Sequence, residues 1–336
     1  MEKGLTIMVL QPAPLFQATM EGILLQPELC SNKIGMNPTE FSLFYTEMET
    51  TLQQYTHRHS KRVRSKSGWT TYPDKLQIFV TLHWLRQYPT TRSLNGTYGI
   101  YQETIQHFYE RCVGAMASKL KDEVPYFHAE DLEREVAKWR QPLGEEMAGV
   151  AAIVDGTCIR IYKPGIEKFE NSSWVKRKGA FCVNVLVAVT MDGKFLDISQ
   201  PAYGGCDQAD WNRSGWREFF QYVPYGIMGD AGFTFNPKHE SIPILGITPL
   251  RKPRKRRFTQ EEKKYNTRVA QWRAVVENTI GQWKKWKILG GTYRHSKVHT
   301  RNRVQLSDIL AITLVLTNRK LKRRPLRPKR WHPRRI

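Results

Sequence analysis

Three acidic residues stand where the hydropathy pattern of the chain changes: Asp155 in AAIVDGTCIRIYKP, Asp230 in YGIMGDAGF and Glu277 in QWRAVVENTIGQWKKWKIL. A hard divalent cation such as Mg²⁺ prefers oxygen ligands, and those ligands must be delivered from a rigid scaffold. Asp155 and Asp230 end the apolar runs AAIV and YGIM, which read as buried strands. A carboxylate at the end of a buried strand is costly unless a metal or a partner compensates it. Glu277 lies on a helical pattern with Val269, Trp272, Val276, Ile280 and Trp283 at helical spacing. Strand, strand and helix, with one acid on each, have the make-up of a two-metal site for phosphodiesters. Taken singly, Asp155 also reads as a turn residue before Gly156, and Glu277 as an ordinary i, i+4 partner of Arg273.

Charge points to the substrate class. The chain carries 53 Lys and Arg against 31 Asp and Glu, and from Arg251 to Ile336 the count is 27 basic to 4 acidic, a net of +23. Residues 1–250 are left with 26 basic and 27 acidic, a net of −1. A positive field on the segment that holds Glu277 suits a polyanion drawn toward carboxylates and metal. The run RKPRKRR at 251–257, with Arg254, Lys255, Arg256 and Arg257, and the proline-rich tail from Arg319 to Ile336 read as phosphate-binding or nuclear import segments. The tail is expected to be extended and mobile. Arg273 and Lys284, flanking Glu277 on one helix, read as phosphate-side groups, and Trp283 and Trp286 as core aromatics.

No stretch approaches the roughly 18 apolar residues of a membrane span, so no membrane role is expected. GLTIMVL is short and is broken by QPAP, which argues against a signal peptide. The five cysteines form no C-x-x-C pair and read as free thiols in a reducing compartment.

Residues 1–37 show no clear period, with Pro12, Pro14 and Pro27 interrupting any regular element. A helical domain is expected over 38–140, opening at Asn37 and Pro38. Within it, TTRSLNGTYGIYQETIQHFYERCVGAM has the layout of a helix-turn-helix: a short helix around Leu94, a turn at Gly99, and a second helix with Ile105, Phe108, Cys112 and Met116 inward. In that motif the first residues of the second helix read the major groove, here Tyr101, Gln102 and Thr104; an ordinary helical hairpin is the alternative. A second domain over 145–318 opens with the strand AAIVD. A hairpin follows, GAFCVNVLVAVT and GKFLDISQPAY joined through Met191, Asp192 and Gly193, and then a helix at 211–222 and the strand ending at Asp230.

These residues together resemble the PIF/Harbinger transposases, one group of DDE transposases. VDGT at 154–157 followed by IYKP resembles the family's first catalytic strand, and VNVLVAVTMDGKFLDIS with YGGCDQADWNRSG its hairpin and a further aspartate. GDAGF, the later ITPL and RAVVENTIGQWKKWKIL resemble its second aspartate and glutamate helix, 47 residues apart from Asp230 to Glu277. The resemblance covers about residues 40–318. It implies an α/β fold, an RNase H-like mixed-sheet catalytic domain preceded by an all-α helix-turn-helix-like domain. It also implies that Asp155, Asp230 and Glu277 ligate two Mg²⁺ or Mn²⁺ ions. Asp207 is a fourth acid near them, preferred over Asp210, which reads as a helix amino-terminal residue. The implied activity is cleavage at transposon ends and joining of the 3′-hydroxyl to target DNA in the nucleus. The implied partners are double-stranded DNA, a Myb-like DNA-binding protein and further copies of the chain.

Overall fold

In a computed structural model, residues 15–59, 72–164, 171–204, 206–236, 243–294 and 304–327 are described. The chain divides into two compact units, residues 1–116 and 117–336.

The first unit is helical. Helices α1 (Leu15–Leu24) and α2 (Pro27–Ile34) come from the stretch where the sequence showed no period, and Cys30 and Ile34 of α2 are fully buried. Pro27 does not interrupt a helix here. It sits at the first helical position, where its missing N–H has no intrahelical partner to lose and its fixed φ suits the turn. Next come α3 (Pro38–His59), α4 (Asp74–Gln87), α5 (Thr91–Tyr98) and α6 (Gln102–Leu120). Asn37 opens α3 with a reciprocal cap: its side chain accepts from the Glu40 N–H, and Glu40 accepts from the Asn37 N–H. Phe41 of α3 packs edge-on against Phe79 of α4 at 5.3 Å, and Trp84 stacks on Tyr109 at 4.1 Å. Arg111 ties three segments together, bonding Asp74 at 2.6 Å, Gln77 at 2.8 Å and the Leu52 carbonyl at 2.9 Å. Gly99, at φ 68°, makes the left-handed turn that closes α5 and lets α6 begin at Gln102.

The second unit is a mixed α/β layer structure. Its strands are β1 (Val150–Ile161), β2 (Trp174–Val175), β3 (Ala180–Val189), β4 (Phe195–Ile198), β5 (Ala202–Tyr203), β6 (Gly226–Met228), β7 (Gly246–Ile247) and β8 (Thr292–Tyr293). The sheet runs β2-β3-β1-β6-β7, with β4 and β5 also pairing β3 and β8 pairing β1. β1 is antiparallel to β3 and parallel to β6, so it is the strand through which the site is built. The expected hairpin forms: β3 and β4 are joined through Thr190–Lys194, with Gly193 at φ 93°. The helices are α7 (Ala129–Leu143), α8 (Asp207–Arg213), α9 (Trp216–Tyr222), α10 (Gln260–Trp283), the single turn α11 (Lys287–Gly290) and α12 (Leu306–Arg323).

Residues 150–154 of β1 are buried in both parities, because helices cover the sheet on two sides. Ala152, Val154, Leu186 and Ala188 pack with Trp211 of α8 and Phe220 of α9. α7, placed in the helical domain by the sequence pattern, contributes Leu132 to this core, stacks Trp139 edge-on to Trp272, and sends Lys138 to Asp192 in the hairpin at 2.6 Å. Trp283 and Trp286 are buried, their indole N–H groups donating to Thr313 and Thr317 of α12.

The start of the basic tail is not extended. Arg319 to Arg323 complete α12, and Arg319 pairs with Glu123. Arg327 is buried, lies 5.0 Å from the Trp272 ring, and donates to the Gln271 and Trp272 carbonyls. A proline-rich basic segment lacks a core of its own, but α12 is apolar along its inner face, and it carries the next residues onto α10. Residues 328–336 lie outside the described residues.

Candidate active site

Asp155 lies in β1 opposite Val187, two residues beyond the pair that joins β1 to β6, Ile153 with Met228. Asp230 lies two residues beyond Met228, so the parallel register sets the two aspartates at the same level, Asp155 in the middle of β1 and Asp230 just past the end of β6. Asp230 also shapes its own loop, accepting the Gly232 N–H at 2.7 Å while its carbonyl accepts from the Phe233 N–H. Arg251 closes over this loop, donating twice to the Ala231 carbonyl at 3.1 and 2.7 Å.

Asp207 reaches the site through a glycine. Period two puts Gly156 on the same face of β1 as Ala152 and Val154, the face covered by α8. A Cβ at position 156 would fall on the Asp207 carboxylate. Asp207 is held there by Asn184 of β3, whose amide donates to it at 3.2 Å and also to Asp210. Asp210 is occupied otherwise: it is buried and ion-paired with Arg213. Asn184 was not singled out from the sequence, though a lone amide within the apolar run VNVLVAV was the available signal. Arg251 was read only as part of a basic run.

α10 brings Arg273 and Glu277. Its start is fixed by a capping box between Thr259 and Glu262, and Glu262 is gripped by both arms of Arg256 at 2.6 Å. Arg254, Lys255 and Arg257 are exposed beside it. Arg273 and Glu277 form no ion pair with each other among the described residues. Glu277 is exposed, whereas the Arg273 Nε is buried with no hydrogen-bond partner and its charge acts on Asp155. Lys284, at the carboxyl end of α10, donates to the Cys158 carbonyl at 3.0 Å.

Asp155 registers the whole arrangement. Burial pushes its carboxyl up to about 6. The Arg273 guanidinium and the Gly156 N–H pull it down, and the negative charges of Asp207 and Asp230 push it up again. Three carboxylates and one guanidinium thus share a field in which the acids repel each other. That is the donor chemistry of a hard-cation site, all oxygen and in net deficit of positive charge. The convergence is looser than the chemistry: among the described residues no three His, Cys, Asp or Glu side chains stand close enough to hold an ion. Geometry gives the reason, since Asp207 comes over the α8 face of β1 and Glu277 points to solvent.

In the first unit, Tyr101 and Gln102 are exposed at the start of α6 and Thr104 is half-buried, with Gln102 paired to Thr91 of α5 at 3.3 Å.

Residues 154–318 match the family model described as DDE superfamily endonuclease. The matched stretch, just under half of the chain, contains Asp155, Asp207, Asp230 and Glu277. It supports a DDE-type transposase relationship, and the mixed α/β sheet with its covering helices is consistent with a DDE nuclease fold. Nucleases of this family bind DNA and generally use divalent metal ions. No curated protein and no solved structure matches the chain. No helix among the described residues is long and apolar enough to cross a membrane.

Proposed function

We propose that this chain is a metal-dependent DNA transposase of the PIF/Harbinger kind, which cuts phosphodiesters at the ends of its element and joins the freed 3′-hydroxyl to target DNA. The observation that carries the reading is the buried Asp155 carboxyl in the middle of β1, driven toward neutrality by burial and by two neighbouring aspartates, Asp207 of α8 and Asp230 just past β6. Asp155, Asp230 and Glu277 are the residues that would hold two Mg²⁺ or Mn²⁺ ions, with Asp207 beside them. Bound there, such ions would supply Lewis-acid stabilisation of the attacking and leaving oxygens. The chain's own contribution would be to bring these acids to one phosphodiester, with Arg273 set where its charge offsets that of Asp155. Water is the nucleophile in cleavage and the 3′-hydroxyl in joining, so no Ser or Cys nucleophile is required. The α5–α6 pair, with Tyr101, Gln102 and Thr104, is the proposed DNA-reading element. A Myb-like partner, self-assembly and nuclear location belong to the same reading.

A second reading is a descendant that binds DNA without cutting it, and the exposure of Glu277 is the observation in its favour. Nicking of supercoiled plasmid in Mg²⁺ or Mn²⁺ separates the two. The first reading expects nicking by the unaltered chain and its loss, by 100-fold or more, in Asp155→Ala, Asp230→Ala and Glu277→Ala, with DNA binding retained. Full binding with no nicking by the unaltered chain would favour the second.

A further inference from the structure

Beyond the acids, three cations gather around Cys158. Lys178, in the turn that leads into β3, places its Nζ 2.9 Å from the Cys158 Sγ. Lys284 approaches the same residue from α10, at 3.0 Å from its carbonyl oxygen. Arg160, two residues further along β1, is exposed and pairs in register with Cys182 of β3. Lys178 and Arg160 are exposed residues, and Lys284 is half-buried.

Among the described residues no carboxylate pairs with this cluster. Burial lowers the Lys284 ammonium, and Lys178 and Arg160 lower it further by repulsion; the groups opposing them are the thiols of Cys158 and Cys182. The Cys182 thiol is itself pushed up to about 12, chiefly by burial, so it is neutral and brings no negative charge. None of Arg160, Lys178 and Lys284 forms an ion pair among the described residues. Three like charges gathered at a strand end, two of them hydrogen-bonded to one residue, are stabilised by an external anion.

Their position selects the anion. Cys158 lies three residues past Asp155, roughly 10 Å along β1 at ~3.3 Å per residue. Lys284 lies seven residues past Glu277, again roughly 10 Å along α10 at ~1.5 Å per residue. Arg160, five residues past Asp155, stands roughly 17 Å along β1 at ~3.3 Å per residue, while Lys178 and Lys284 meet at Cys158, about 10 Å beyond the acids. That distance corresponds to about three steps of one nucleic-acid strand, at ~3.4 Å per phosphate along the axis.

We propose that Arg160, Lys178 and Lys284 form a phosphate-binding site that grips the backbone of a nucleic-acid strand about three nucleotides from the acid cluster. Naming the ligand as a nucleic-acid strand rests on the function proposed above; the site's affinity for phosphodiester does not require that the acids be catalytic.

The test is binding of the full chain to a fluorescein-labelled random-sequence duplex of about 30 base pairs, by anisotropy, in EDTA across a KCl series. Arg160→Gln with Lys178→Gln should weaken binding about tenfold or more near 0.1 M salt. It should also flatten the log-log salt slope by about 1.8, two contacts at ~0.9 each. Lys178→Gln alone, at an exposed position, should give about half that change if the double variant folds poorly. The comparison is Lys285→Gln with Lys287→Gln, which removes equal charge from exposed neighbouring positions. An equal loss in that pair would mean a general field and no site, and an unchanged slope in the first pair would overturn the proposal. Because binding is read without metal, it can fail while the loss of nicking in Asp155→Ala stands, and the reverse.

Discussion

At Gly156 a missing side chain decides whether an acid joins the site. The Asp207 carboxylate occupies the place a Cβ would take, on the opposite face of β1 from the one that Asp155 shares with α10. Gly156→Ala must therefore push Asp207 away, while leaving Asp155 and Asp230 in place. If Asp207 contributes to catalysis, Gly156→Ala and Asp207→Ala should lower plasmid nicking by similar factors, on the order of tenfold or more, and their combination should cost little beyond either alone. Asp210→Ala removes the partner of Arg213 and Asn184, so it should lower the melting temperature and change nicking only in proportion to the fraction unfolded. Full activity in both Gly156→Ala and Asp207→Ala would remove Asp207 from the site. The preference for Asp207 over Asp210 is what the family resemblance implies. The sequence could not reveal that the choice turns on Asn184 and Gly156, because both act through contacts between β1, β3 and α8.

The elements differ in how far their pattern exposed them. The hairpin was legible because Asp192-Gly193 between two β-rich runs specifies its own turn, and α10 because its apolar residues recur at helical spacing. α1 and α2 were not legible: they are short, and Pro27 looks like a breaker until its place in the first turn is known. α7 falls at the end of the expected helical domain, and its place as a layer over β1 was not legible, since its burying partners lie far along the chain. β4 carries a further element-level consequence. Asp197 is largely buried in it, and accepts the Ile198 N–H at 2.6 Å and the Phe127 N–H at 3.4 Å. Burial pushes its carboxyl up to about 6, against the pull of those bonds and of Trp216. The folded state therefore favours the protonated form more than the unfolded state does, whose carboxyl titrates near ~3.9. This group's stabilising share is complete below that value, declines as pH rises to about 6, and is absent above. Asp197→Asn should raise stability at pH 7–8 by at most about 3 kcal/mol, at 1.36 kcal/mol per pH unit, seen as a higher melting temperature, and have little effect near pH 4. A melting profile whose pH dependence between 4 and 6 is the same in both proteins would show that Asp197 is not the group responsible.

Across the whole molecule, charge and fold divide the carboxyl-terminal segment at a point the composition does not mark. Ten of the seventeen residues from Arg319 to Arg335 are Lys or Arg, so by composition they form one basic tail. Structure separates them: Arg319 to Arg323 finish α12, and Leu326 and Arg327 are anchored, the former to the Asp192 carbonyl and the latter against α10. Removing residues 328–336 takes away Lys329, Arg330, Arg334 and Arg335 and none of these contacts. That truncation should leave the melting temperature unchanged and weaken binding to element-end and random duplexes alike. Its log-log salt slope should flatten by up to about 3.6, four contacts at ~0.9 each. Removing residues 319–336 should in addition lower the melting temperature, because it strips the Arg319–Glu123 pair and the buried guanidinium. Arg327→Ala in the full chain isolates the second part. It removes a side chain packed on Trp272 and its two hydrogen bonds to carbonyls that keep their intrahelical donors, a loss of roughly 1–3 kcal/mol with the salt slope intact. Should the shorter truncation destabilise the protein as much as the longer one, the anchor would have to lie beyond Arg327. Should it weaken only element-end binding, the last nine residues would be reading sequence.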